Sequence, residues 1–152
     1  VSQIGTGDGG GPLKQTVHAT TVARYRQGGW RGVLILGPSG AGKSDLALRL
    51  TGAGWRLVAD DQTLVWSSGG RLFGAAPASL RGLIEARGVG LIAAPALTPS
   101  PLSLAVQLQS APPERLPEPE GWTHLGLKLP LIRLDPTHAS AVDKIAAALA
   151  TI

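Results

Sequence analysis

Residues 35–50, ILGPSGAGKSDLALRL, decide how the rest of the chain is read. Gly37 to Ser44 spell G-x-x-x-x-G-K-S. A nucleoside triphosphate carries more anionic oxygens than side chains can crowd around, so backbone N–H groups must supply most of the donors. Gly37, Gly40 and Gly42 let the backbone curl and approach without a Cβ in the way. Pro38, Ser39 and Ala41 complete the loop. It feeds a helix N-terminus, where unpaired N–H groups and the helix dipole both favour anions. Lys43 is long enough to reach the β and γ phosphates, and Ser44 offers a hydroxyl to Mg²⁺. A chance glycine-rich turn would need neither flank. Here the apolar VLIL (33–36) precedes the loop as a central strand, and Leu46, Ala47 and Leu50 follow on one helical face.

Outward from this unit, residues 16–26 (TVHATTVARYR) predict a strand running into a turn at Gly28-Gly29. Gly52 and Gly54 end the helix that starts at Lys43. Arg56–Ala59 is a short apolar strand leading into Asp60-Asp61. Thr63–Trp66 and Arg71–Phe73 flank Ser-Ser-Gly-Gly and predict a hairpin. Residues 78–84 predict a short helix after Pro77. Leu102, Leu104, Val106 and Leu108 alternate along one side of a half-buried strand. PPERLPEPEG (112–121) predicts an exposed loop. Leu131–Leu134 is the last strand. Asp135-Pro136 opens a final helix with Val142, Ile145, Ala146 and Leu149 on one face. This α/β pattern predicts a loose tail over 1–13 and one P-loop nucleotide-binding domain over 14–152.

Composition narrows the function. Apolar residues make up 43% of the 152-residue chain, enough for a core, while 21 Gly and 12 Pro imply many loops. The net charge of +4 is spread along the chain. No basic run with interleaved aromatics suggests nucleic acid. There is no Cys, so no disulfide framework and no thiolate metal site. No apolar run reaches the ~20 residues of a membrane helix. No signal peptide is visible, so a cytoplasmic setting is expected.

Two further clusters carry chemistry. The end of a strand laid beside the loop strand falls near the phosphates, and Asp60-Asp61 sits there. One carboxylate could hold Mg²⁺ and the other accept a proton from an attacking hydroxyl; the bland alternative is a solvated turn. In GLIEARGVGLI (82–92), Glu85 suits Mg²⁺ and Arg87 suits phosphoryl oxygens, unless the two are a surface ion pair beside a turn.

Taken together and in this order, GPSGAGKS (37–44), LVADD (57–61) and GLIEARGVGLI (82–92) resemble the HPr kinase/phosphorylase family. The similarity is to its catalytic domain alone, strongest over residues 16–95. The resemblance implies a fold akin to nucleotide-dependent phosphoenolpyruvate carboxykinases and a hexameric assembly. It implies an enzyme that uses ATP and Mg²⁺ to phosphorylate a serine of the phosphocarrier HPr or an HPr-like protein, regulating the phosphotransferase system, and that runs the reverse reaction with inorganic phosphate. Carried over residue by residue, Lys43 holds phosphates and Ser44 and Glu85 ligate Mg²⁺. Asp61 is the catalytic base, Asp60 its metal-side helper, and Arg87 faces phosphoryl oxygens. His18 matches a His on the strand before the loop. Ala93 stands where the family signature often ends in an acidic or amide residue. In place of an Arg-Asn-containing segment of the longer members the chain has LKLPLIRLDPTHASAVDKI (127–145), where Lys128 or Arg133 could substitute. His124 and His138 read as surface residues.

Two other readings remain in play. A small-molecule P-loop kinase would usually carry an Arg-rich lid, whereas 112–121 is acidic and Pro-rich. An ATP-binding sensor or scaffold would not need Asp61, Glu85 and Arg87 together. A GTPase switch would need an Asn-Lys-x-Asp guanine reader, which is missing.

Overall fold

The computed structural model describes residues 13–152, so most of the expected tail lies outside the described residues. Among the described residues, eleven strands and two α-helices follow in the order β1 (Gln15–Val17), β2 (Ala19–Arg26), β3 (Gly29–Leu36), α1 (Lys43–Gly52), β4 (Arg56–Ala59), β5 (Thr63–Ser68), β6 (Arg71–Ala75), β7 (Leu83–Ala86), β8 (Gly90–Ala93), β9 (Ser100–Leu108), β10 (Glu120–His124), β11 (Leu127–Leu134) and α2 (Ala141–Ala150). Nine strands form one sheet; β7 and β8 form a separate hairpin.

The centre of the sheet is parallel: β9 lies between β3 and β11, running with both. Parallel strands covered on both faces need apolar residues throughout. Val33, Leu34, Ile35, Leu104, Ala105 and Val106 accordingly have at most 1% of their surface exposed. Each Leu or Ile buried this way contributes roughly 1.5–3 kcal/mol. β2 pairs antiparallel with β3 on one side and β4 on the other. The β1–β5–β6 ribbon joins through β6 to the first residues of β9. Gly32 in β3 has a local reason to be glycine: a Cβ there would lie 2.5 Å from the Pro101 carbonyl oxygen of β9.

The two faces have separate cores. Leu46, Ala47 and Leu50 of α1 and Ile145 and Leu149 of α2 pack with Val33, Ile35, Leu104, Val106 and Leu108 on one face. Ala19, Leu34, Val65, Leu72, Leu102 and Leu129 pack on the other. No helix among the described residues is long and apolar enough to cross a membrane.

Several expected elements are corrected. His18 interrupts the strand expected over 16–26, separating β1 from β2. The following turn is Gln27-Gly28, both left-handed (φ 51° and 83°), and Gly29 already belongs to β3; this is the backbone a two-residue hairpin favours. Helix over 78–84 shrinks to one 3₁₀ turn at Ala78–Leu80. Gly82 then turns left-handed at φ 73° and releases the chain into β7. Leu102 does not share a side with Leu104: the register against β3 shifts between them, putting Leu102 in the second core. β9 is therefore covered on both faces rather than half-buried. β10 and the first half of β11 were not foreseen. The final helix begins at Ala141, because Asp135 Oδ1 accepts from the backbone N–H and hydroxyl of Thr137 and closes a turn first. His124 is partly buried, stacked on Trp122 at 5.0 Å, and burial holds its pKa below the usual range. His138 is a surface residue, as expected.

Candidate active site

The phosphate loop leaves the C-terminal end of β3 and enters α1 directly. Gly40 and Gly42 are left-handed (φ 82° and 99°), a backbone that side chains with a Cβ adopt at a cost. Gly42 is the first cap of α1 and no side chain caps that end, so the N–H groups of the first turn face outward unspent. Lys43 is buried, with 5% of its surface exposed. Its Nζ donates to the carbonyls of Gly37 (2.8 Å) and Pro38 (2.9 Å), and no carboxylate among the described residues pairs with it. A buried cation held only by carbonyls is poised for an anionic ligand.

β4 lies two places from β3, beyond β2, and its end brings the acidic pair to the same side of the sheet. The two aspartates are treated differently. Asp60 is buried and serves as a hub: its Oδ1 accepts from Ser44 Oγ (2.6 Å) and Thr20 Oγ1 (3.1 Å), and its Oδ2 from the Glu85 N–H (3.0 Å). These contacts tie β2, α1 and β7 to one carboxylate. Asp61 is left-handed (φ 66°) and its side chain is 61% exposed. Its Oδ1 accepts from His18 Nε2 at 2.9 Å, which requires the imidazole proton on that nitrogen.

GLIEARGVGLI is the β7–β8 hairpin, with Glu85 paired to Leu91 and Ala86 to Gly90. Its tip closes over the phosphate loop. A cavity of about 540 Å³ is lined by Ser39, Gly40, Gly42, Lys43 and Ser44 on one side and by Asp61, Glu85, Arg87 and Val89 on the other. Glu85 and Arg87 are therefore cleft residues and form no ion pair with each other among the described residues. A second cavity, about 460 Å³, lies on the other flank of the loop between Gly40–Gly42, Asp45, Arg49, Pro136 and Thr137.

Among the described residues, no group of three or more His, Cys, Asp or Glu side chains converges as a ready-made metal cage. Mg²⁺ does not ask for one. It takes one or two protein oxygens and completes its shell with water and phosphate. The oxygens of Ser44 and Glu85, with Asp60 accepting from the Ser44 hydroxyl, match that demand. Lys128 and Arg133 do not reach this region: both belong to the β10–β11 hairpin, where Arg133 is held by Glu120 at 2.8 Å and 3.0 Å. The residue that the sequence reading passed over is Thr20, whose hydroxyl touches both aspartates. Only its place on the strand after His18 hinted at it.

Comparison with known proteins identifies the family. The family model for the HPr Serine kinase C-terminal domain matches residues 13–98. An HPr kinase/phosphorylase of Mycoplasmopsis pulmonis is 46% identical over 79 residues, covering 52% of this chain and 24% of the relative. One from an Exiguobacterium species is 52% identical over 62 residues, 40% of this chain and 20% of the relative. The chain thus matches only about a quarter of the length of these curated relatives. The solved structure of the Hpr(Ser) kinase/phosphatase from Coxiella burnetii superposes with a TM-score of 0.74 at 26% identity, covering 91% of this chain and 95% of that one. Glycine loop, acidic pair and Glu-x-Arg hairpin all lie inside the matched segment, and the chain belongs to the HPr serine kinase C-terminal domain family.

Proposed function

We propose that this chain is an ATP-dependent protein-serine kinase acting on HPr or an HPr-like phosphocarrier protein. The observation that carries the reading is the single cavity in which the phosphate loop faces Asp61, Glu85 and Arg87. The names of its relatives support the same substrate.

On this reading the nucleoside lies in the cavity beside Pro136 and Thr137, and the phosphate chain crosses the glycine loop into the acidic cavity. Lys43 exchanges its two carbonyl partners for β and γ phosphate oxygens, and the loop amides donate to the rest. Ser44 and Glu85 would hold Mg²⁺, with Asp60 orienting the Ser44 hydroxyl. Mg²⁺, when bound, neutralises charge on the β and γ oxygens. Asp61, the accessible carboxylate, accepts the proton of the attacking serine hydroxyl, and His18 fixes its direction. Arg87 donates to the transferring group as charge builds on it.

Incubation with labelled ATP, Mg²⁺ and HPr-like protein tests this. Label on a serine of that protein is expected. Nucleotide binding with no phosphoprotein would instead leave an ATP-binding sensor, and label on a small molecule would leave a metabolite kinase. Pyrophosphate release from the phosphoprotein plus inorganic phosphate tests the reverse direction.

A further inference from the structure

We infer that Thr20 is the positioning residue that aims Asp61; the inference rests on Asp61 being the base proposed above. Thr20 is fully buried in β2. Its hydroxyl has one proton to give. Asp60 Oδ1 can only accept, so that proton goes to Asp60 (3.1 Å), and a lone pair of the same oxygen receives the Asp61 N–H (3.0 Å). One oxygen atom thereby couples the carboxylate that holds Ser44 to the backbone of the neighbouring acid.

Asp61 needs this hold. Its φ of 66° is a left-handed backbone that non-glycine residues take up only when their surroundings impose it. The turn is also closed by the Gln62 N–H on the Asp60 carbonyl, at 2.7 Å. Thr20 itself cannot drift. Its neighbour Thr21 is buried against Thr63, oxygen to oxygen at 2.8 Å, and Thr63 donates to the Ala19 carbonyl at 2.9 Å. The strand under the acidic turn is therefore pinned on its opposite face. His18, just before β2, then meets the Asp61 carboxylate from the same strand line.

The consequence is a split between binding and turnover. Thr20→Val keeps the side-chain shape and removes the bridge. It should lower kcat about 10- to 100-fold, the scale on which small misplacement of a reacting group acts. Nucleotide affinity should stay within about threefold, because the loop donors are untouched. Thr20→Ser, which keeps the hydroxyl, should restore kcat. Thr20→Ala serves as a second deletion, so that one poorly folding variant does not decide the matter. In an Asp61→Ala background the Thr20→Val change should lose its effect. Hydrogen exchange at the Asp61 amide gives a readout independent of substrate: it should quicken in Thr20→Val and Thr20→Ala and recover in Thr20→Ser. If the wild-type protein phosphorylates no HPr-like protein, the functional reading fails while amide exchange still decides the role of Thr20. Unchanged Asp61 exchange in both deletions, parallel loss of kcat and nucleotide affinity, or failure of Thr20→Ser to rescue would overturn the inference.

Discussion

Every charged side chain lining the acidic cavity comes from residues 43–87, whereas the strand at the centre of the sheet, β9, and the helix closing one face, α2, come from beyond residue 99. That first region lies inside the segment matched by the family model, residues 13–98, and 79 residues of the chain align with a relative at 46% identity. The whole fold superposes on a solved relative at only 26%. The difference follows from what each region must do. A phosphate grip fixes residue types one by one: Gly42 must turn left-handed, Lys43 must carry charge, and Ser44 must end in a hydroxyl. A buried strand or helix face needs only apolar groups of the right volume at the right spacing. Yet the second region is no appendage. Leu108 packs beside Gly37, and Pro136 lies 3.6 Å from where a Cβ on Gly42 would point. The chemistry of the first region is held in place by the packing of the second.

The largest effect that would sharpen this contrast is Lys43→Ala. It should cut phosphoryl transfer by about 10³-fold, the upper range for removing one electrostatic stabiliser, with little change in melting temperature. Ile145→Ala in α2 should do the reverse. Ile145 is fully buried, so the change should cost about 2–5 kcal/mol of stability in denaturant titrations while leaving activity per folded molecule intact. If Ile145→Ala instead changed kcat without touching stability, the division between the two regions would be broken. Next in size, Asp60→Ala should weaken Mg²⁺-dependent nucleotide binding about 10- to 100-fold by freeing Ser44, measured by calorimetry with and without Mg²⁺. The smallest effect concerns the pair on the β10–β11 hairpin. Arg133 holds the Glu120 carboxyl below its usual pKa, chiefly through their hydrogen bonds. A depressed folded pKa stabilises above the ordinary carboxylate range and loses that contribution as pH falls through the folded value. Arg133→Leu should therefore leave activity unchanged and slightly flatten the acid side of the stability profile.

The phosphate unit was legible because strand, loop and helix each carry their own local signal in adjacent residues. The acidic pair was legible as a pair, but not its division of labour. Nothing in Asp-Asp says that one carboxylate is buried under three donors while the next sits left-handed and exposed. That asymmetry depends on Thr20 and Ser44, both distant in sequence. The Glu-x-Arg block was recognised by resemblance, while its hairpin was not. Its strands span four residues each, and the Pro77 start signal favoured a helix until Gly82 broke it. Leu102 misled because a register shift is invisible in an unbroken alternation. β10 was hidden by its Pro/Glu-rich approach and by the lack of any residue buried throughout it.

The most direct test of the account pairs two measurements on one variant, Asp61→Ala: the affinity for Mg²⁺–ATP, and the formation of phosphoserine on an HPr-like protein. Convergence of a phosphate grip and an accessible base in one cavity predicts affinity within about threefold of wild type and turnover reduced by about 10²- to 10⁴-fold, the span expected of a general base. Near-wild-type turnover in that variant would contradict it.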